Sequence, residues 1–197
     1  MNTQKSVGIK VVIFSVMDGK LVFFAPDSRL PVRSWERGMI LEKEVGDLIR
    51  QSSGLSPADG YFEQLYTVSR PDEKDFDIAI VYYFLIANHH ITNKSLWTDK
   101  TPAHDTAIIS YAMQRLRWKI EYTNVVQSLV HPQFTLGELQ SVYEAILNRR
   151  LDKRNFRKKI FSLGLLTDTG KKRVLGRARP AEVYTFKHQK ITIVKIL

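Results

Sequence analysis

Leu151-Asp152-Lys153-Arg154-Asn155-Phe156-Arg157-Lys158-Lys159-Ile160-Phe161-Ser162-Leu163-Gly164 is the stretch that decides the fold. Phe156, Ile160 and Leu163 recur at i, i+4 and i+7, the spacing that gathers side chains on one stripe of a helix. Asp152 stands where an N-cap belongs, and Gly164 where the helix should stop. Arg154 and Lys158 point away from the apolar stripe, Arg157 lies beside them, and Asn155 and Ser162 flank them. One face is therefore built to pack, and the other is solvent-facing and strongly positive. Phe161 fits neither face, so it packs beneath a following element or the helix is shorter than drawn.

Upstream, Thr135-Leu136-Gly137-Glu138 has the capping-box form that opens a helix. Leu136, Leu139, Val142, Tyr143, Ile146 and Leu147 form its inner face, and Asn148 to Leu151 make the turn between the helices. Downstream, Leu165–Thr167 and Glu182–Phe186 read as strands, with a turn at Gly170-Lys171-Lys172-Arg173 after the first. Helix, turn, helix and basic hairpin is the order of a winged helix-turn-helix starting near His131-Pro132. In that motif the second helix enters the major groove. Lys153, Arg154, Asn155, Arg157 and Lys158 are residue types that contact phosphates and read purine edges. Lys171, Lys172 and Arg173, with Arg177 and Arg179, would arm the wing against a phosphate backbone or the minor groove.

Charge is segregated in the same way. The 197 residues carry 30 Lys+Arg and 20 Asp+Glu, a formal net charge of +10. Residues 1–132 hold 15 of each sign, whereas residues 133–197 hold 15 basic and 5 acidic, so the whole excess lies in the last third. An excess of this size points to a polyanion. Double-stranded DNA is favoured over RNA, because no aromatic stacking platform accompanies the basic residues. The longest apolar run, Ile78 to Ala87, is about half of the ~20 residues a spanning helix needs, so no membrane partner is expected. With no cysteine, a disulfide framework and Cys-ligated metal sites are excluded, which is compatible with a cytoplasmic protein.

The first 130 residues read as a separate α/β unit. Residues 8–15 and 20–25 are β-branched and aromatic runs around Asp18-Gly19, a hairpin signature. A loop through Pro26 and Pro31 leads to a helix over 41–52, with Leu41, Val45, Leu48 and Ile49 at helical spacing and Gly54 as its stop. Strands at 61–68 and 78–87 follow, then a helix from about Asp105, its N-cap, with Ile108, Ile109, Ala112, Met113 and Leu116 on one side. This order suggests a mixed sheet with helices packed on it. The five histidines show no ligand spacing, and no P-loop, nucleophile elbow or GxGxxG is present.

Several runs resemble one family: Phe134 to Gln140, Tyr143 to Leu147, Leu151 to Lys159, and Arg179-Pro180-Ala181 with Tyr184. They are similar to the winged-helix half of the NrtR-type, Nudix-related transcriptional regulators of NAD metabolism. Glu63 to Thr67, His104-Asp105, Leu116-Arg117 and Ile120 to Thr123 are similar to that family's Nudix-like half. The resemblance implies a Nudix-like α/β/α sandwich with a mixed sheet, over residues 1–130, for effector sensing and dimerisation. It implies a DNA-binding winged helix over 131–197. It further implies a homodimer on a partly palindromic operator, repressing genes of NAD or sugar metabolism. ADP-ribose or a related phosphorylated metabolite would be the effector, and no cofactor is expected.

The Nudix box departs from the pattern G-x5-E-x7-R-E-U-x-E-E-x-G-U. A gapless match on Leu30-Pro31 and Gly54-Leu55 places Arg33 at the first glycine, Met39 at the first glutamate and Asp47 at the arginine. Leu48, Gln51 and Ser52 then fall on the remaining three glutamates. A divalent cation wants hard carboxylate oxygens, which this helix does not offer, so neither catalytic residues nor a metal site are assigned. Glu36, Glu42, Glu44 and Asp47 nearby read as surface carboxylates. Arg33 and Trp35 lie in the loop that normally approaches the phosphates and are effector candidates together with Glu63 and Arg70; a structural loop with a packed tryptophan is the other reading of that pair. The alternative for the whole chain is a Nudix hydrolase of a nucleoside diphosphate compound with a nucleic-acid-binding tail.

Overall fold

A computed structural model describes residues 6–69, 76–174 and 180–196. Its centre is β1 (Val7–Met17), an 11-residue strand buried on both faces. One edge of β1 pairs in parallel with β5 (Ile78–Leu85) along nearly its whole length. The other edge is shared. Its first half pairs with β3 (Val32–Trp35) and its second half with β2 (Lys20–Phe24), both antiparallel. β4 (Tyr61–Ser69) borders β5 and the short β6 (Trp97–Thr98) borders β2, completing a six-stranded mixed sheet.

The period of two along β1 sends its side chains to two cores. Ile9, Val11 and Ile13 pack with Val45, Leu48 and Ile49 of α1 (Leu41–Ser53). Val12, Phe14 and Val16 pack with Ile108, Ile109, Ala112, Leu116 and Ile120 of α2 (Thr106–Tyr122). The sandwich thus has α1 on one face and α2 on the other. Gly54 ends α1 in the left-handed region, at φ 72°, as its position in the sequence predicts.

The winged helix follows from Phe134. β7 (Phe134–Thr135), β9 (Ala181–Phe186) and β8 (Leu166–Arg173) form a second sheet beside α3 (Leu136–Leu147) and α4 (Lys153–Ser162). The capping box forms in full: the Thr135 hydroxyl accepts from Glu138 N at 3.2 Å, and Thr135 N donates to the Glu138 carboxylate at 2.6 Å. Leu139, Val142, Tyr143 and Ile146 of α3 join the apolar core beneath α2. Arg117 of α2 donates to the Ile146 carbonyl at 3.0 Å, satisfying an acceptor that the end of α3 leaves open. The α/β layer and the winged helix therefore share one continuous core.

Three local expectations are corrected. Arg33 and Trp35 sit on strand β3 rather than in a loop, because β2 is too short to satisfy the whole edge of β1. Asp105 occupies the N-cap position of α2, but its side chain makes no cap bond. It accepts instead from Lys10 Nζ at 3.2 Å and from Leu30 N at 3.0 Å, in a buried tie between β1, the Pro31 segment and α2. Lys171, Lys172 and Arg173 are not a turn. A register shift between Asp168 and Lys172, with Gly170 at φ 70°, lets β8 run on to Arg173.

Candidate nucleic-acid interface and ligand face

Helix α4 starts on Asp152, whose carboxylate accepts from Asn155 N at 2.8 Å. Phe156 and Ile160 are buried, with Phe156 edge-on to Tyr143 at 5.4 Å between ring centres. That packing turns Lys153, Arg154, Asn155, Arg157 and Lys158 outward, and all five are exposed. Phe161 is explained by the wing: it meets Tyr184 of β9 edge-on at 5.5 Å, and the Arg157 guanidinium lies over its ring. Arg157 also lies 3.8 Å from Glu182. It is partly tethered to the wing, whereas Arg154 and Lys158 enter no ion pair among the described residues.

Lys171 and Lys172 are exposed on β8. Arg173 is not comparable with them. It donates to both Glu138 carboxylate oxygens, at 2.8 and 3.0 Å, and to the Gln133 carbonyl at 3.0 Å. Its charge is committed to bracing the wing against the capping box of α3, a role that residue type and position gave no means to foresee. Arg177 and Arg179 lie outside the described residues.

On the α1 face, Arg33 forks across the degenerate box. Nη1 donates to Glu44 at 2.9 Å, and Nη2 donates to Gln51, one of the four positions where the box calls for a glutamate. The other three are equally committed elsewhere. Leu48 is in the core, Ser52 Oγ donates to the Leu48 carbonyl of its own helix at 2.7 Å, and Met39 offers only a thioether. Asp47, at the box arginine, pairs with Arg50. Trp35 is half-buried against this core and donates to the Met39 carbonyl at 3.3 Å.

Glu63 is on the opposite face. It accepts from Tyr83 at 2.6 Å, from Tyr61 at 3.0 Å and from Lys119 of α2. The effector candidates therefore do not form one constellation. Arg33 and Trp35 belong to the α1 side, Glu63 to the α2 side, and Arg70 lies outside the described residues. Lys119, Tyr61 and Tyr83 were missed in the sequence, where nothing in a strand and a helix 56 positions apart announces their meeting. Lys10 could have been found, since a lysine at an inward-pointing position of an apolar strand demands a buried acid.

Burial pushes the Glu63 carboxyl up, but Lys119 and Tyr83 outweigh it and hold it below the usual range. Burial likewise opposes the Asp105 charge, and the Leu30 N–H and Lys10 overcome it. Glu144 is held low chiefly by the Leu151 N–H. Stability from carboxyls held low is fully present above their ordinary values, near pH 4 to 5, and is lost as pH falls through the lower folded ones. The melting temperature is therefore expected to be level near neutrality and to fall between about pH 4.5 and 3. Glu63→Gln should flatten part of that fall. A melting temperature that holds level to pH 3 would refute the assignment.

Residues 126–186 match the family model described as the NrtR DNA-binding winged helix domain. The crystal structure of Shewanella oneidensis NrtR complexed with a 27mer DNA aligns with a TM-score of 0.76 and 26% identity, over 92% of this chain and 93% of that one. Across both units the chain is similar to the NrtR-type, Nudix-related regulators. A protein of Acinetobacter baylyi, named ADPR responsive transcriptional repressor NtrR, is 28% identical to this chain over 206 residues, spanning 90% of the chain and 80% of the relative. A MutT/nudix family protein from Enterococcus faecalis shares the fold, with a TM-score of 0.65 at 19% identity over 95% and 90% of the two chains. No helix among the described residues is long and apolar enough to cross a membrane.

Proposed function

We propose that this chain is a cytoplasmic transcriptional regulator, a repressor of NAD or sugar metabolism genes, that binds duplex DNA through α4 and the wing. Its Nudix-like unit binds ADP-ribose or a related phosphorylated metabolite without hydrolysing it. The observation that carries the first part is the exposed basic face of α4, with Lys153, Arg154, Asn155, Arg157 and Lys158 turned outward by a packed inner face. Lys171 and Lys172 on the wing, with Arg177 and Arg179, add phosphate contacts. The DNA-bound relative and the ADPR-responsive relative support the same reading.

Residues 131–197 act as the DNA-binding unit and residues 1–130 as the sensing and dimerising unit. A homodimer presents two α4 helices to the half-sites of a partly palindromic operator, about one helical turn or a multiple apart. Non-catalytic sensing is supported by Arg33. The Arg33 guanidinium spans Glu44 and Gln51, so both side chains are engaged where a hydrolase would offer oxygens to a divalent cation. Arg33 and Trp35 face the effector on this side of the sheet, and Glu63 acts from the other side through α2.

Two tests follow from ordinary biochemistry. With about 3 to 5 phosphate contacts per half-site, log affinity should fall with log salt at a slope of about −5 to −9. A salt-insensitive complex contradicts the DNA reading. Incubation with ADP-ribose and magnesium, followed by chromatography, should return the ligand intact, whereas clear turnover restores the hydrolase alternative.

A further inference from the structure

After β9 the chain does not leave the molecule. Residues 187–196 turn back across the C-terminal end of α2. Val194 N and Ile196 N donate to the carbonyls of Tyr122 and Glu121, both at 2.8 Å. These belong to the last turn of α2, whose acceptors have no partner within the helix. Thr123 pairs with Ile193 in an antiparallel bridge. Asn124, 2% exposed, is the hub of the contact. Its Oδ1 accepts from Thr192 N at 2.6 Å and its Nδ2 donates to the Lys190 carbonyl at 3.1 Å.

The far end of this segment reaches the basic helix. Ile196 is 1% exposed, shares the apolar core with Phe156 and Ile160, and forms one wall of a groove whose other wall is Leu151, Asn155 and Lys159. A backbone bonded to α2 therefore supplies a side chain that packs against α4. The near end of the path is Lys119, which holds Glu63, and Thr123 donates to the Lys119 carbonyl through both its N–H, at 3.0 Å, and its hydroxyl, at 2.7 Å. Sheet, α2, returning segment and α4 form one bonded and packed series.

We infer that residues 187–196 are a strap that positions the DNA-reading helix against the sensor unit and transmits the state of α2 to it. The inference rests on the proposed function for its meaning, because a strap of this kind matters only where one unit reports to the other. Ile196 and Asn124 are positioning residues. Neither touches DNA or effector; each acts by fixing the angle at which α4 leaves the core.

Two variants of the whole chain test it: Ile196→Ala, which removes the packing against Phe156 and Ile160, and Thr192→Pro, which removes the donor to Asn124 at an exposed position. Hydrogen exchange at the amides of residues 153–162, measured without DNA or ligand, should be about fivefold or more faster in both, with α1 unchanged. On duplex DNA, ADP-ribose should change the Kd of the unmodified chain by about tenfold, and that of either variant by less than about twofold. Unchanged exchange in α4 overturns the strap, and so does a full ADP-ribose response in either variant. If the unmodified chain itself ignores ADP-ribose, the effector reading fails, and the exchange measurement still decides whether the strap positions α4.

Discussion

Replacing Arg154 and Lys158 together with alanine is expected to weaken binding to duplex DNA by about 100-fold, each side chain contributing about 1–3 kcal/mol. Both are exposed on the face of α4 opposite Phe156 and Ile160, and neither is held by a carboxylate among the described residues. Their charges cost nothing to bring to a phosphate or a base edge beyond side-chain ordering. The melting temperature should move by no more than about 2 °C, since surface changes without partners lie within about ±0.5 kcal/mol. Anisotropy titrations at a fixed salt concentration measure the first quantity and calorimetry the second. Retained affinity in the double variant would move the DNA contact away from α4.

The second large effect concerns folding. Asp105→Ala should destabilise the chain by about 3–5 kcal/mol, lowering the melting temperature by about 10 °C. The Lys10 and Asp105 side chains are 3% and 2% exposed, so removing the acid takes a carboxylate from beside a buried ammonium and leaves Leu30 N without its acceptor. The pair itself is not the source of that stability, because desolvating two charges offsets most of their attraction. Replacing both partners with apolar residues of similar volume, Lys10→Met with Asp105→Leu, should therefore recover most of the loss. A cost below about 1 kcal/mol for Asp105→Ala would show that the core readily admits water there.

What the sequence made legible depended on how local the cause was. α1, the capping box of α3 and the Asp152 cap of α4 follow from residues within one or two turns, and all three form as their spacing dictates. Phe161 was ambiguous because its partner, Tyr184, is 23 positions away across the wing. β3 was hidden because four residues after a proline carry little pattern. Only the need of an 11-residue strand for a full-length edge partner calls it into being. Asp105 had the right position for a cap and a different task, since the nearest unmet demand was a buried lysine rather than a helix N–H. The candidate effector residues are least legible of all. Glu63 and Arg33 are both on sheet strands, but which side each faces depends on strand register and on the bulge in β4 between Gln64 and Tyr66.

The proposed regulation requires that a ligand of the Nudix-like unit control DNA binding without being consumed. A single time course tests it: a preformed complex with fluorescent operator DNA receives ADP-ribose and magnesium, while anisotropy and the intact ligand are followed together. The expected result is a step in anisotropy to a new, steady plateau with ADP-ribose undiminished. No step, or a step that drifts back as the ligand is hydrolysed, would contradict it.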